Sequence, residues 1–455
     1  MELQTAYSSL PTFLQNLAVS LKGWQLQRRR YNEKFERRFD ATAGREELTT
    51  GELQEYREKR LTKFLRAAAG SPFWKQRFET VGLRIDDLRE PIEAVRRLPV
   101  LRKQEVKNRL EDLQNPIVEE TITSHTSGTT GSGLVFPKTK KAEREQLAVW
   151  WRYRHWHGIT RGTWCGYFGG RQVVPITQTA PPYWRLNYPG KQLFLSGYHL
   201  NADTAAAYVG ILRQREVPWI HGYPSMIALL AGYMIDQQID PVPSLKIITT
   251  GAENLLPRQR NLINEAFGVP VRQHYGLAEG VANISECEYG NLHVDEDFAL
   301  VEFVPLEHDP DRYKIVGTNW NNPAFPLIRY DTGDIATLPP SEATCNCGRV
   351  GRLVESIDGR DEDYVVFRNG IHLGRLDHIF KDLIHIREAQ IYQPDVSQVI
   401  LRVVKGKGYD NADEEKRLLK EARKRLGESI HIDIEYRDEI PKTDNGKLRF
   451  VVSEV

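Results

Sequence analysis

Residues 126–133 read T-S-G-T-T-G-S-G, a stretch built from glycine and small hydroxyl side chains. Glycine lets the backbone approach an anion closely and take up positive φ, so that successive N–H groups converge on it. Ser127, Thr129 and Thr130, set around Gly128 and Gly131, add hydroxyl donors that a bent loop can aim at one point. Phosphate is the ligand this chemistry suits. A flexible Ser/Gly linker has the same composition, and both readings stay open here. A Walker P-loop is excluded, because a lysine must directly follow its last glycine, whereas Leu134 and Val135 follow Gly133.

Four further blocks carry reactive or ligand-holding types. Thr249-Thr250-Gly251-Ala252-Glu253 lies between an expected strand and an expected helix. In an α/β sheet, ligands collect at such strand ends. Tyr275-Gly276-Leu277-Ala278-Glu279 offers a ring that can stack on a base and a carboxylate that can hold Mg²⁺. In Arg329-Tyr330-Asp331-Thr332-Gly333-Asp334 two aspartates flank Thr-Gly and can accept from a sugar diol; a solvated turn is the equal alternative. Lys447 closes a Pro/Gly-framed loop, 441–447, as a mobile charge suited to an anion that develops during a reaction. Taken alone, most such lysines are merely solvated.

The elements that must position these residues follow from periodicity. Residues up to about 110 read as helical, with a capping pattern at Thr49 and Glu52 opening a helix over 48–69. From 117 to 335 short β-type runs (117–123, 219–221, 245–249) alternate with helical ones (225–237, 257–267), an α/β layered pattern. After 358 the texture changes. A hairpin is expected over 364–374 around Asn369-Gly370, then strands at 387–393, 399–404 and 430–436 and a charged helix at 412–426. The expected division is 1–110 and 111–358 for a large domain and 364–455 for a small α+β domain, with a hinge at 359–363.

Composition bounds the class. With 455 residues, 40% hydrophobic, 27% charged and a net charge of +1, the chain reads as an enzyme-sized protein without a field that favours nucleic acid. Four cysteines are too few for a disulfide scaffold, and neither a membrane span nor a secretory leader is visible, so a cytoplasmic location is expected. One segment interrupts this neutrality. Residues 10–24 are amphipathic and 22–38 carry Lys22, Arg28, Arg29, Arg30, Lys34, Arg37 and Arg38. Such a segment can make weak contact with an anionic membrane surface. The favoured reading is a helix packed on its own domain.

Taken in order, the five blocks from 126 to 447 resemble the signature motifs of the adenylate-forming superfamily of acyl-CoA synthetases, peptide-synthetase adenylation domains and luciferases. The chain looks most like the phenylacetate–CoA ligase branch and its CapK-type capsular-polysaccharide biosynthesis proteins, on residues 275–279 running into 281–288 and on 446–452. The resemblance implies an α/β fold, with a large multi-layer N-terminal adenylation domain and a small mobile α+β C-terminal lid. It implies ATP- and Mg²⁺-dependent activation of a carboxylic acid as acyl-adenylate, with release of pyrophosphate.

By the same resemblance, Thr126, Ser127, Gly128, Thr129, Thr130 and Gly131 grip phosphates, and Gly251, Ala252, Glu253, Tyr275 and Gly276 border the adenine. Glu279 holds Mg²⁺, Asp334 and Arg360 meet the ribose, Glu362 stands at the hinge, and Lys447 is the lysine required for adenylation. The acyl pocket falls to Tyr223, Ser225 and Ala278. Three departures stand out. The loop's usual lysine is missing or replaced by Lys138, Ala278 stands where Thr or Ser commonly precedes the glutamate, and Glu362 replaces Asp. The acyl acceptor is CoA, giving a thioester, or an amine, giving an amide. A non-catalytic assembly partner retaining the fold is the third reading, which Glu279, Asp334 and Lys447 disfavour.

Cys345-x-Cys347 and the pair Cys287 and His293 at C-x₅-H spacing supply a Cys₃His set suited to a closed structural Zn²⁺ site. Buried free cysteines are the alternative. Similar clusters among phenylacetate–CoA-ligase-like proteins add to the metal reading.

Overall fold

The computed structural model describes residues 7, 9–118, 120–126, 134–169, 173–175, 177–307, 309–360, 365–366, 372–373, 376–380, 386–406, 408–427, 430–442 and 448–455. The loop residues Ser127, Gly128, Thr129, Thr130 and Gly131, the hinge residue Glu362 and Lys447 lie outside the described residues, as does the Arg360 side chain. The chain divides into two compact units, 25–161 with 273–358, and 1–24 with 162–272 and 359–455.

The first unit begins with helices Glu33–Ala43 and Thr50–Ala68. The second starts at the expected capping box: Glu52 N–H donates to Thr49 Oγ1, and the Glu52 carboxylate accepts from Thr49 N–H at 2.9 Å. An antiparallel hairpin, Thr121–His125 with Val135–Thr139, follows, then the helix Lys140–Trp156. The strand runs over 121–125 rather than 117–123. Pro116 donates no backbone hydrogen bond, and Glu120 takes a positive φ just before pairing begins, so the ladder starts late. A four-stranded sheet, Leu300–Leu306, Asp309–Thr318, Tyr330–Thr337 and Ser356–Arg360, closes this unit. Its core joins Trp74, Phe136, Phe325 and Tyr330, all buried.

In the other unit Ile247–Gly251, Trp219–Gly222, Cys165–Phe168 and Gln192–Leu195 run parallel, and Trp184–Asn187 is an antiparallel edge strand. Helices Ala205–Gln214, Pro224–Asp236 and Pro257–Phe267 supply the apolar layer against them. The C-terminal segment builds a sheet of its own. Ile386–Asp395 pairs antiparallel with Gln398–Lys405, while Val451–Ser453 and His431–Tyr436 add on in parallel. This sheet and the helix Asn411–Leu426 bury a separate core that includes Val365, Ile391, Leu401, Leu418 and Ile432. Val365–Val366 pairs with His372–Leu373, the two arms of the expected hairpin. The fold is mixed α/β, with a large N-terminal body and a C-terminal domain.

Candidate active site

Glu279 sits on the turn between the antiparallel strands Val271–Gly276 and Asn283–Glu286, where Gly280 has φ +69°. Three successive carbonyls of this turn are each held by a side chain from elsewhere in the unit. Gln146 Nε2 donates to Leu277 O at 2.7 Å, Lys138 Nζ donates to Ala278 O, and Asn319 Nδ2 donates to Glu279 O at 3.2 Å. Lys138 also donates to Gln146 Oε1 at 2.9 Å. The turn is thus fixed before any ligand arrives, the kind of rigidity that a metal-holding carboxylate needs. Lys138 serves as its tether, and burial pushes the ammonium down to about 8 against the pull of Glu279 and Glu143.

The Glu279 side chain is 6% exposed. Burial pushes its carboxyl up; its own backbone N–H, Lys103 and Lys138 pull it back, and Asp334 adds to the rise. A buried carboxylate is a hard oxygen donor that a divalent cation would keep ionised, and its chemistry suits Mg²⁺.

Asp334 lies where the ladder between Asp309–Thr318 and Tyr330–Thr337 slips register. Gly333 has φ +74° and its N–H donates to Asp331 Oδ1 at 2.9 Å, while Asp334 N–H donates to Thr332 Oγ1 at 3.1 Å. A bulge of this kind re-aims a side chain. Here Tyr275 Oη donates to Asp334 Oδ2 at 2.7 Å, so blocks that are 59 positions apart in the chain meet. Burial and then the Asp334 charge hold the Tyr275 phenol well above its ordinary range, so it stays a donor. Gly276 leaves room for neighbours: a Cβ there would lie 3.0 Å from Asn283 Oδ1 and from the His274 ring.

Thr126 closes the base of the phosphate-type loop. Its N–H donates to Leu134 O at 2.9 Å, and its hydroxyl accepts from Leu134 N–H at 2.7 Å. This cross-link draws 126 and 134 together as a hairpin end.

In the second unit Gly251 ends its strand and Ala252 takes φ +68°, a left-handed conformation that costs a non-glycine residue roughly 1–2 kcal/mol. That strain sits at a strand end expected to meet a ligand. The Glu253 carboxylate accepts from Ser225 N–H at 3.2 Å, at the start of the helix Pro224–Asp236, and from Leu448 N–H at 3.3 Å. Tyr223 caps that helix, with its N–H on Phe168 O at 3.2 Å. Tyr223, Ser225 and Glu253 therefore meet at one helix N-terminus, and Glu253 also touches the residue after Lys447.

Cys287 and His293 are brought close by the hairpin of Asn283–Glu286 with Leu292–Val294, in which Cys287 N–H donates to Asn291 O. Cys345 and Cys347 lie in a turn closed by Gly348 N–H on Cys345 O, with Gly348 at φ +72°. The four ligand atoms lie within 4.8 Å of one another. Cys287 Sγ is 3.6 Å from Cys345 Sγ, and Cys347 Sγ is 3.3 Å from His293 Nε2. Tetrahedral Zn²⁺ with Zn–S near 2.3 Å spaces its ligands roughly 3.5–3.8 Å apart, so the set fits the ion. Burial pushes the Cys287 thiol up to about 11 and His293 down to about 4, so both are neutral without a cation.

The sequence reading missed Gln146 and Asn319, whose only signal is the contact itself. It also missed a buried ionic network around Arg152. The acidic run Asp295-Glu296-Asp297, two positions after His293, was its one visible trace.

Residues 366–454 match the family model of the CapK C-terminal domain. Protein CapK of Staphylococcus aureus is 26% identical over 459 residues, covering 100% of both chains. The phenylacetate–coenzyme A ligase of Thermus thermophilus is 27% identical over 357 residues, 72% of this chain and 73% of the relative. A crystal structure of 2-hydroxyisobutyryl-CoA ligase in the postadenylation state with 2-HIB-AMP superposes with TM-score 0.71 at 19% identity, over 90% of this chain and 91% of that one. Among the described residues no helix is long and apolar enough to cross a membrane. The chain is a homologue of CapK and of the phenylacetate–coenzyme A ligases, and it has the fold of the adenylate-forming CoA ligases.

Proposed function

We propose that this chain activates a carboxylic acid as its acyl-adenylate and then transfers the acyl group to CoA. The observation that carries the reading is the preorganised acidic set, Glu279 on its tethered turn and Asp334 bonded by Tyr275 on its bulge. The kinship with phenylacetate–coenzyme A ligases supports the same chemistry. An oxygen of the acid attacks the α-phosphorus of ATP, and the bond to the bridging oxygen breaks, so that pyrophosphate leaves with the electron pair. The CoA sulfur then attacks the acyl carbon and AMP departs.

In this scheme Thr126, Ser127, Gly128, Thr129, Thr130 and Gly131 bind the phosphates, and Gly251, Ala252, Glu253, Tyr275 and Gly276 the adenine. Asp334 and Arg360 take the ribose, and Tyr223, Ser225 and Ala278 the acid. Glu279 would hold Mg²⁺, which offsets phosphate charge when bound. Residues 364–455 act as the lid, turning about Glu362, and bring Lys447 to the reacting oxygens.

Pyrophosphate release from a panel of acids, with CoA or amines added afterwards, tests the scheme. CoA-dependent thioester formation supports it, and amide formation with an amine would replace the acceptor. No release with any acid would leave an assembly partner that keeps the fold. Lys447→Ala should lower adenylation by a factor of ~10²–10³ while ATP affinity stays nearly constant, the mark of an interaction made chiefly in the transition state. Wild-type adenylation in that variant would remove Lys447 from the reaction.

Cys287, His293, Cys345 and Cys347 are proposed to hold a structural Zn²⁺. Protein purified without added zinc should contain one zinc per chain by elemental analysis. Cys345→Ser and Cys347→Ser should each lose the metal and melt several degrees lower. A metal-free wild type with an unchanged melting temperature would return the four residues to the status of free thiols and a plain histidine.

A further inference from the structure

The helix Thr12–Arg30 is docked the wrong way round for a water-soluble surface helix, which ordinarily turns its apolar stripe to the core. Its polar side chains face inward. Asn16 Oδ1 accepts from Leu186 N–H at 2.9 Å, Ser20 Oγ donates to Leu186 O at 3.1 Å, and Gln15 Oε1 accepts from Arg185 Nε at 2.6 Å. Gly23 packs against Asn187, where a Cβ would lie 1.9 Å from the amide oxygen. The cause lies in the sheet. Trp184–Asn187 is an edge strand whose outer N–H and C=O groups need partners, and this helix supplies them from its side chains.

The apolar stripe is thereby left outside. Phe13, Leu17, Leu21 and Trp24, spaced three and four apart on one face, and Leu10 just ahead of the helix are 37–69% exposed, and Tyr188 beside Ser20 is 51% exposed. Charge and area together say what covers this ridge. The helix carries Lys22, Arg28, Arg29 and Arg30 and no acidic residue; Arg29 and Arg30 share Glu143, and Lys22, Arg28 and Arg29 are all exposed. Lys191 lies 5.5 Å from the Trp164 ring, which itself packs edge-on to Tyr188. Two copies of so basic a helix would repel. Five partly exposed side chains also offer only a few hundred Å², short of the ~800 Å² per partner of a stable dimer.

We propose that this face seats the protein on an anionic phospholipid surface. The Leu/Phe ridge enters the headgroup boundary, Trp24 and Tyr188 sit at its polar edge, and Lys22, Arg28 and Lys191 meet lipid charge. The inference stands independently of the activity proposed above.

Sedimentation of the full chain with vesicles tests it. The protein should pellet with phosphatidylcholine–phosphatidylglycerol vesicles at least tenfold more than with phosphatidylcholine alone. The triple variant Phe13→Glu, Leu17→Glu and Leu21→Glu should lose binding more than tenfold with an unchanged circular dichroism spectrum. Lys22→Glu with Arg28→Glu should weaken binding to the anionic vesicles alone. Three results would overturn the proposal: wild type that stays in the supernatant with both vesicle types, a triple variant that binds as well as wild type, or a wild-type dimer that the triple variant converts to monomer.

Discussion

Glu279→Gln should lower pyrophosphate release by a factor of ~10²–10³ while leaving the fold as stable as wild type or slightly more so. The two halves of this expectation have separate causes. Rate falls because the amide has the shape of the carboxylate without the charge that would hold Mg²⁺ against the phosphates. Stability holds because burial has pushed this carboxyl above its unfolded value, so the ionised form is a cost at neutral pH, and an uncharged isostere removes it. The turn keeps its geometry, since Gln146, Lys138 and Asn319 bind backbone carbonyls and not the Glu279 side chain. A residue kept only for structure would give the reverse, near-normal rate with a lower melting temperature. Paired measurements of pyrophosphate release and thermal melting separate the two, and full activity in the variant would end the assignment.

What was legible in the sequence depends on how far each residue must look for its partner. The Thr49–Glu52 box, the helix Pro257–Phe267 and the Val365–Val366 arm of the late hairpin are set by neighbours within a few positions, and each stands where spacing places it. The Cys₃His set was legible as ligand types, with buried free cysteines as the alternative. Its convergence needed the hairpin that carries Cys287 back to His293 and the turn at Gly348. Lys138 shows the opposite case. By type and position it looked like a displaced phosphate lysine, whereas its head group is committed to Ala278, 140 positions on. The helix Thr12–Arg30 was legible as a helix with an apolar face. Which face turns inward was decided by unpaired groups on an edge strand some 170 positions away, as its bond from Asn16 to Leu186 shows. Periodicity carries no information about that demand.

Asp297→Asn should destabilise the unit formed by 25–161 and 273–358 by ~3–5 kcal/mol at pH 7, the usual consequence of breaking a buried ionic network from one side. Asp297 Oδ2 accepts from Arg45 Nε at 2.6 Å and Arg152 Nη1 at 2.8 Å, and its Oδ1 accepts from Arg152 Nη2 at 2.9 Å. Arg152 further binds Asp295 at 2.7 Å, Arg45 reaches Glu145 at 2.5 Å, and all five groups are buried. Asparagine would point an N–H₂ at guanidinium donors and leave two cations sharing the carboxylates of Asp295 and Glu145. The pH response has a defined sign. Burial alone would raise the Asp297 carboxyl, but Arg152 and then Arg45 more than reverse this and hold it well below the usual carboxylate range. A depressed carboxyl stabilises the fold above its unfolded pKa, and that stabilisation drains away as pH falls towards the folded value. Asp295 runs the other way, because burial outweighs the pull of Arg152, and its carboxyl lies above the ordinary value. It therefore takes up a proton before Asp297, which goes on binding both arginines, with Glu145 still on Arg45. Denaturant unfolding of wild type and Asp297→Asn should thus differ most near neutrality, with the gap narrowing below pH ~4 as the wild-type carboxyl begins to protonate in the unfolded chain. A gap below ~1 kcal/mol at pH 7 would mean that the two arginines are satisfied without Asp297 and that the network is no stronger than an exposed pair.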